Sequence, residues 1–134
     1  MQMSLHHFAI SVGDLGRSVS FYAALFDMVE DTRVTSDDGL KTIVHMRRDD
    51  WYIEIFCHQN ALPLPVHCGN LDLDLQTVGV KHGGIATVDI EAAHRHAKTI
   101  AGAGAVSAIR EARFYKFFFV HDPDGAVIEF VQRK

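Results

Sequence analysis

The alternation of apolar and polar residues predicts a strand followed by a helix at the start of the chain. Residues 5–12, "LHHFAISV", alternate and predict a strand, because neighbouring side chains of a strand point to opposite faces. Asp14 is a candidate N-cap for a helix that should end near Met28. The apolar residues behind this cap recur at helical spacing: Leu15, Val19, Tyr22, Leu25 and Phe26.

Two strands joined by a tight link should follow this helix. The segments "LKTIVHMR" and "WYIEIFC" are rich in β-branched and aromatic residues, and the polar letters "RDD" between them indicate a short turn. A further strand is expected near "VEDTRV", and the glycine in "VTSDDGLK" indicates a turn after it. The first half therefore reads as a strand, a helix and then strands.

The second half of the chain repeats this order. Residues 80–88 predict a strand, and Asp89 is a second candidate N-cap. The helix behind it should end at "AGAGA", and its inward positions are Ile90, Ala93, Ala97 and Ile100. The segments "FYKFFFVH" and "AVIEFVQ" predict two strands around the turn signal "DPDG".

A proline-containing segment separates the two halves. It reads "HQNALPLPVHCGNLDLDLQTVG", and its prolines fix the backbone and remove hydrogen-bond donors, as expected of a connector. A length of 134 residues suits one domain. We therefore predict a single domain over residues 1–134, with module one at about 4–58, the connector at about 59–78 and module two at about 79–134.

Composition excludes several classes of protein. The formal net charge of −4 leaves no basic footprint for nucleic acid, and no apolar run approaches the roughly 20 residues of a membrane helix. The first residues, "MQMSLHHF", lack the features of a signal peptide, so we expect a cytoplasmic protein without a membrane partner. Two cysteines, Cys57 and Cys68, are too few for a secreted disulfide scaffold and are expected to be free thiols.

The two halves place the same polar residues at one fixed offset. His7 and His82, Asp14 and Asp89, and Glu54 and Glu129 are each 75 positions apart. Overall identity at this offset is low, so the signal lies in which positions match. An ionised glutamate on an apolar strand is costly unless it is paired or binds a metal. Taken alone, each histidine or glutamate is more typical of a core or surface position.

If the two halves are related by pseudo-symmetry, the two histidines and two glutamates could meet at one centre. Such a set suits one divalent metal ion such as Zn²⁺, Ni²⁺, Fe²⁺, Mn²⁺ or Co²⁺. The ion could polarise a substrate carbonyl or stabilise an enediolate, and Glu54 or Glu129 could act as general base on the adjacent C–H.

The chain resembles the vicinal oxygen chelate superfamily over nearly its whole length. The segments that carry the resemblance are "LHHFAISVGDLGRSVSFYAALFDM", "VKHGGIATVDIEAA" and "FFFVHDPDGAVIEFVQ". The superfamily includes glyoxalase I, methylmalonyl-CoA epimerase, extradiol dioxygenases, fosfomycin-resistance thiol transferases and bleomycin-binding proteins. The resemblance implies an α+β fold of two tandem βαβββ modules, each a curved half-barrel, and commonly a homodimer.

Carried over by position, the resemblance implies four metal ligands: His7, Glu54, His82 and Glu129. A glutamate in both modules is similar to glyoxalase I and the epimerases, and favours a lyase or isomerase that moves a proton on a small oxygenated substrate. A ring-cleaving Fe(II) or Mn(II) dioxygenase, with Glu54 as a non-ligand or an unusual fourth ligand, is one alternative. A non-catalytic antibiotic-binding protein is another. The site could lie within one chain or across a dimer.

Further residues on the predicted strands are candidates for binding the substrate. They are His45, Tyr52, Tyr115, Phe117, Phe119 and His121. Packing in the core is the alternative for the aromatic members of this group. His58 and His67 fall in the connector, whereas His94 and His96 are expected to face solvent on the second helix.

Overall fold

The computed structural model describes residues 1–134, except for the side chain of Ala103. The chain divides into two compact units, Met1–Pro63 and Leu64–Lys134. Unit one contains β1 (His7–Val12), α1 (Leu15–Phe26), β2 (Val29–Thr35), β3 (Lys41–Arg48) and β4 (Trp51–His58). Unit two contains a 3₁₀ turn (Val66–Gly69), α2 (Leu71–Asp74), β5 (Gly83–Ala86), α3 (Ile90–Ala101), a second 3₁₀ turn (Ala103–Ala105), β6 (Arg110–Glu111), β7 (Tyr115–His121) and β8 (Val127–Arg133).

Both units use the same sheet topology in the described part of the chain. The sheet of unit one has the order β1-β4-β3-β2, and the sheet of unit two has the order β5-β8-β7-β6. The first strand of each unit pairs in parallel with the last strand, and the other neighbours are antiparallel. The predicted α+β class with two βαβββ modules is therefore confirmed.

In unit one, α1 covers one face of the sheet. Asp14 caps this helix by accepting a hydrogen bond from the backbone N–H of Arg17, as predicted. The helix buries its aromatic side chains and Leu25, and the sheet residues with almost no exposed surface are Val44, Met46, Ile53 and Ile55. Because side chains alternate along a strand, the residues between these, such as His45 and Glu54, belong to the opposite face.

Unit two repeats this arrangement with α3. Asp89 accepts a hydrogen bond from the backbone N–H of Ala92, so the second predicted cap is also confirmed. Of the predicted inward positions, Ile90 and Ala97 are fully buried. The sheet buries Phe118, Val120 and Ile128 on one face, which leaves Phe119 and Glu129 on the other.

Some element boundaries differ from the sequence prediction. β1 begins at His7, and α1 ends at Phe26, where Asp27 adopts the left-handed conformation. The strand predicted over residues 80–88 is limited to Gly83–Ala86. The connector, which the prolines predicted to be irregular, contains α2, because the Asn70 side chain accepts the backbone N–H of Leu73 and starts a helical turn. None of the described helices has the length and apolar character needed to span a bilayer.

Candidate functional site

Glu54 lies at the centre of a cluster of histidines in unit one. It is on β4, opposite His45 of β3, while His7 enters from the neighbouring β1. Glu54 Oε2 is 3.5 Å from His7 Nε2, and Glu54 Oε1 is 3.3 Å from His45 Nε2. The Glu54 side chain is 19% exposed, so it is shielded by the sheet but still open to a ligand. Each carboxylate oxygen therefore faces its own imidazole.

Neighbouring side chains orient both imidazoles of this cluster. His7 Nδ1 is 2.9 Å from His6 Nδ1, and His45 Nδ1 is 2.9 Å from the Thr32 hydroxyl. His6 is in turn stacked on Tyr52, with ring centroids 4.7 Å apart. A partner on one ring nitrogen fixes the tautomer and leaves the other nitrogen directed at its target. In both histidines that other nitrogen, Nε2, is the one that faces Glu54.

Unit two holds a single histidine against its glutamate. His82 Nε2 is 3.3 Å from Glu129 Oε2, and the two side chains are 23% and 25% exposed. The residue opposite Glu129 on β7 is Phe119, whose ring packs against His82 at a centroid distance of 5.5 Å. His82 Nδ1 is buried without a hydrogen-bond partner among the described residues. On the other neighbouring strand, Gly84 pairs with Glu129.

The donor atoms of each pair fit a divalent metal ion. Two ligands held about 2.0–2.2 Å from one ion, at angles between octahedral and tetrahedral, are separated by about 3.0–3.5 Å. The nitrogen–oxygen distances of 3.5 Å for His7 with Glu54 and 3.3 Å for His82 with Glu129 fall in this range. Imidazole nitrogen and carboxylate oxygen are also ligands that zinc, nickel, iron, manganese and cobalt accept. Each unit thus presents one histidine–glutamate pair at a spacing that a divalent ion could bridge.

The predicted substrate-binding residues lie on the same sheet faces as these pairs. In unit one, His45 contacts Glu54, and Tyr52 is opposite His7. In unit two, Tyr115, Phe117, Phe119 and His121 occupy alternate positions of β7, on the face that carries Glu129. Phe119 is buried, whereas Tyr115 is 45% exposed. His121 Nδ1 lies 3.2 Å from the carbonyl oxygen of Gly125.

The structure also shows a cluster of ligand-type side chains in the connector. Donor atoms of His67, Cys68 and Asp74 all lie within 4.8 Å of one another. Lys81 Nζ donates to the Asp74 carboxylate at 3.1 Å and to its carbonyl oxygen at 2.7 Å. The hydrogen bond from Lys81 lowers the pKa of Asp74, while burial and the Asp74 carboxylate raise the pKa of the Cys68 thiol. Both cysteines are free, as predicted.

Two histidines differ from their predicted places. His58 was predicted to lie in the connector and is instead the last residue of β4. His67 does lie in the connector, although the turn that places it beside Asp74 is not visible in the hydrophobic pattern. His94 was predicted to face solvent and is instead half-buried. Its Nε2 is 2.8 Å from the carbonyl oxygen of Ser107, and its ring packs edge-on against Phe118. His94 is therefore a packing residue of unit two.

Comparison with known proteins places this fold in a family. A search of curated protein sequences finds no match. Among solved structures, a glyoxalase family protein from Enterococcus faecalis has a TM-score of 0.79 and 18% identity, with 96% of each chain covered. The trypanothione-dependent glyoxalase I of Leishmania major has a TM-score of 0.72 and 20% identity, over 98% of this chain and 87% of its own.

A third structure was determined with a metal. It is a mutant fosfomycin resistance protein from Listeria monocytogenes in complex with Mn(II) and a dihydroxypropylphosphonic acid; the TM-score is 0.67 and the identity 15%, over 100% of this chain and 95% of that one. At these identities the likeness shows the fold. The sequence model of one protein family, the Glyoxalase/Bleomycin resistance protein/Dioxygenase superfamily, matches residues 4–130 of this chain. The chain therefore belongs to the Glyoxalase/Bleomycin resistance protein/Dioxygenase superfamily.

Proposed function

We propose that this protein is a metal-dependent lyase or isomerase that moves a proton on a small oxygenated substrate, with His7, Glu54, His82 and Glu129 as the metal ligands. The observation that carries the proposal is the repeated histidine–glutamate pair, with donor atoms at ligand spacing. In unit one the histidine is on the first strand, in unit two it directly precedes the first strand, and both glutamates are on the last strand of their unit. When bound, the ion would supply positive charge that stabilises negative charge developing on two neighbouring substrate oxygens.

Glu54 is the better candidate for proton transfer. Its Oε2 faces His7, whereas its Oε1 is turned towards His45. The Thr32 hydroxyl can donate to His45 Nδ1, which leaves Nε2–H to hold Oε1. One oxygen can thus serve as ligand while the other stays oriented to accept a proton from carbon. Glu129 faces His82 and Phe119, and Phe119 offers no hydrogen bond to a carboxylate.

The substrate is proposed to be a small molecule with two adjacent oxygen atoms. The polar face of unit one would hold the reacting oxygens through Tyr52, while His45 on the same face orients Glu54. The aromatic face of unit two, with Tyr115, Phe117, Phe119 and His121, would pack against its apolar part. A homodimer, suggested by the family resemblance, and a cytoplasmic location complete the proposal. Sedimentation of the purified protein tests the first, and cell fractionation tests the second.

One observation favours a second candidate function, a ring-cleaving dioxygenase. If His45 holds Glu54 away from the ion, the remaining ligands are His7, His82 and Glu129. Two histidines and one carboxylate with open positions form the set typical of non-haem Fe(II) oxygenases. The number of protein ligands therefore distinguishes the two functions.

Metal content per chain is the first test. Elemental analysis in a Cys68→Ser background, which removes the thiol of the connector cluster, should give about one equivalent of a divalent transition metal, and Glu54→Gln and Glu129→Gln should both weaken its binding. Glu91→Gln, a change on the exposed start of α3, is the matched control. If Glu54→Gln retained the metal while Glu129→Gln lost it, the three-ligand dioxygenase would replace the lyase or isomerase.

Proton transfer can be tested without the natural substrate. A panel of small 2-hydroxycarbonyl compounds in deuterated water should lose the C–H signal beside the carbonyl in proton NMR spectra when the metal-loaded protein is added. Glu54→Gln should abolish this exchange. If the metal-loaded wild type failed to exchange any member of the panel but opened catechol rings with Fe(II), the proposed proton transfer would be wrong.

A further inference from the structure

We propose that the connector holds a second site for a zinc-class divalent cation, formed by His67, Cys68 and Asp74. This site is separate in sequence from the four proposed ligands and contains sulfur, which they do not. The proposal stands on the placement of these three side chains and does not depend on the proposed enzymatic function.

The backbone of the connector brings the three side chains together. His67 and Cys68 lie on the 3₁₀ turn Val66–Gly69, which is closed by the N–H of Cys68 donating to the Pro65 carbonyl at 2.9 Å. Asn70 then starts α2, and the N–H of Asp74 donates to the Asn70 carbonyl at 2.9 Å. The turn and the helix are therefore consecutive hydrogen-bonded structures, so little backbone freedom remains to be lost on binding an ion.

The spacing of the donors is close to that of a bound ion. The imidazole, thiol and carboxylate atoms lie within 4.8 Å of one another. Ligands at about 2.0–2.3 Å from one zinc ion are separated by about 3.2–3.8 Å in tetrahedral geometry, a change that side-chain rotation can supply. Cys68 is half-buried and Asp74 is 7% exposed, so neither donor is a freely solvated group.

The chemistry of the donors selects the class of cation. A thiolate together with an imidazole favours zinc and related transition metals over calcium or magnesium, which prefer oxygen. Three protein ligands leave a fourth position for water. A thiol binds such a cation as its thiolate, so the ion would replace the proton of Cys68.

Lys81 adjusts the charge of this cluster. Its ammonium group holds Asp74 through both the side-chain and the main-chain oxygen. A thiolate, a carboxylate and this ammonium sum to one negative charge, so a divalent cation would be attracted and would leave one positive charge. Lys81 contacts the Oδ1 atom of the Asp74 carboxylate, which also has a second oxygen, Oδ2. Asp74 can therefore bind an ion and Lys81 together.

Cobalt substitution gives a signal that only a cysteine ligand can produce. Reduced, metal-free protein titrated with Co(II) should develop a near-ultraviolet thiolate-to-cobalt charge-transfer band. The band should be lost in Cys68→Ser and kept in Cys57→Ser, which removes the other free thiol. It should also persist in Glu54→Gln and Glu129→Gln, so failure of the proposed catalytic site would not affect it.

A second measurement uses the thiol itself. In the Cys57→Ser background, Zn(II) should slow the reaction of Cys68 with a disulfide reagent at least tenfold, and Asp74→Asn should remove most of this protection. If the charge-transfer band were absent, or remained in Cys68→Ser, the site would be refuted. Unchanged thiol reactivity in Zn(II) would refute it as well. The cluster would then be an ion pair between Asp74 and Lys81 that holds the connector.

Discussion

The two histidine–glutamate pairs have equivalent glutamate positions, on the last strand of each unit, but different surroundings. Glu54 lies between two imidazoles, those of His7 and His45, whereas the position opposite Glu129 is taken by Phe119. A phenyl ring excludes water and packs, but it offers no hydrogen bond to hold a carboxylate. The surroundings of the first pair therefore orient the carboxylate of Glu54. In the second pair, the Phe119 ring covers one side of the Glu129 carboxylate without orienting it. Although the sheet topology is repeated, the two glutamates have different neighbours and therefore different chemistry.

The shared scaffold is tested by removing one equivalent side chain from each unit. Ile53 and Ile128 lie one residue before the two glutamates and are 0% and 1% exposed. Ile53→Ala and Ile128→Ala should each lower the free energy of unfolding by about 2–5 kcal/mol, because each leaves a cavity beneath a helix. Urea unfolding followed by circular dichroism measures this. A loss below about 1 kcal/mol in one variant alone would show that the two sheets are not equivalently packed.

Removing one histidine from each pair tests whether both pairs bind the metal. His7→Ala and His82→Ala should each weaken Zn(II) binding by about 100-fold or more, since even loss of an outer partner of a ligand costs about 10–100-fold. Calorimetric titration in a Cys68→Ser background isolates these ligands from the connector. His94→Ala, at a histidine that packs on Phe118, is the control and should bind normally. Normal affinity in His82→Ala would limit the metal site to unit one.

The His45→Phe substitution would make the two pairs alike, because a phenyl ring would then lie opposite Glu54 as Phe119 lies opposite Glu129. His45→Phe should keep Zn(II) affinity within about threefold but slow deuterium exchange into 2-hydroxycarbonyl compounds about tenfold, because Oε1 of Glu54 loses its orienting partner. His45→Asn, which retains a side-chain donor, should recover part of the rate without changing KM. If His45→Phe lost the metal instead, His45 would be a ligand.

The smallest expected effect concerns an ion pair of unit two. Lys116 Nζ donates to Glu91 at 2.8 Å and joins β7 to α3. This hydrogen bond lowers the pKa of Glu91 in the folded protein, so it stabilises the fold above the unfolded pKa of about 4 and is lost as pH falls through the folded value. Glu91→Gln should slightly lower the melting temperature at pH 7. An equal decrease at pH 3 would contradict this origin.

Much of the scaffold is predictable because it depends on local patterns. Both N-caps, Asp14 and Asp89, and the buried helix positions Ile90 and Ala97 follow from helical spacing and are confirmed. The two-residue strand β6 has no local signal, since it pairs only through Arg110 and Glu111. The folding of the connector around Asn70 was missed for a related reason: a single capping side chain starts α2 in a proline-containing segment.

Predicting that His45 lies opposite Glu54 requires the register of the two strands as well as the alternation of polar and apolar residues. The polar link "RDD" was predicted to be a tight turn, and Arg48 does pair with Trp51. Counting back from that turn puts His45 opposite Glu54, so this contact could have been predicted. The offset of 75 residues does not reveal that Phe119 takes the place of His45 in unit two. At that offset His45 aligns with Val120, whereas the strand register puts Phe119 opposite Glu129. The combination of the four proposed ligands in one site is a prediction that the stoichiometry of metal binding will test.

The parallel pairing of the first strand with the last strand also has a consequence for folding. His7 and Glu54, like His82 and Glu129, are 47 residues apart in sequence, yet each pair meets where the first strand of the unit, or the residue just before it, lies beside the last strand. Closing such a loop is a late and slow event, because the entropy of the intervening chain must be lost before the strands pair. A nascent chain emerging from the ribosome therefore cannot form either histidine–glutamate pair until the final strand of that unit has been synthesised. Binding of one ion by all four proposed ligands would then require that both units be complete.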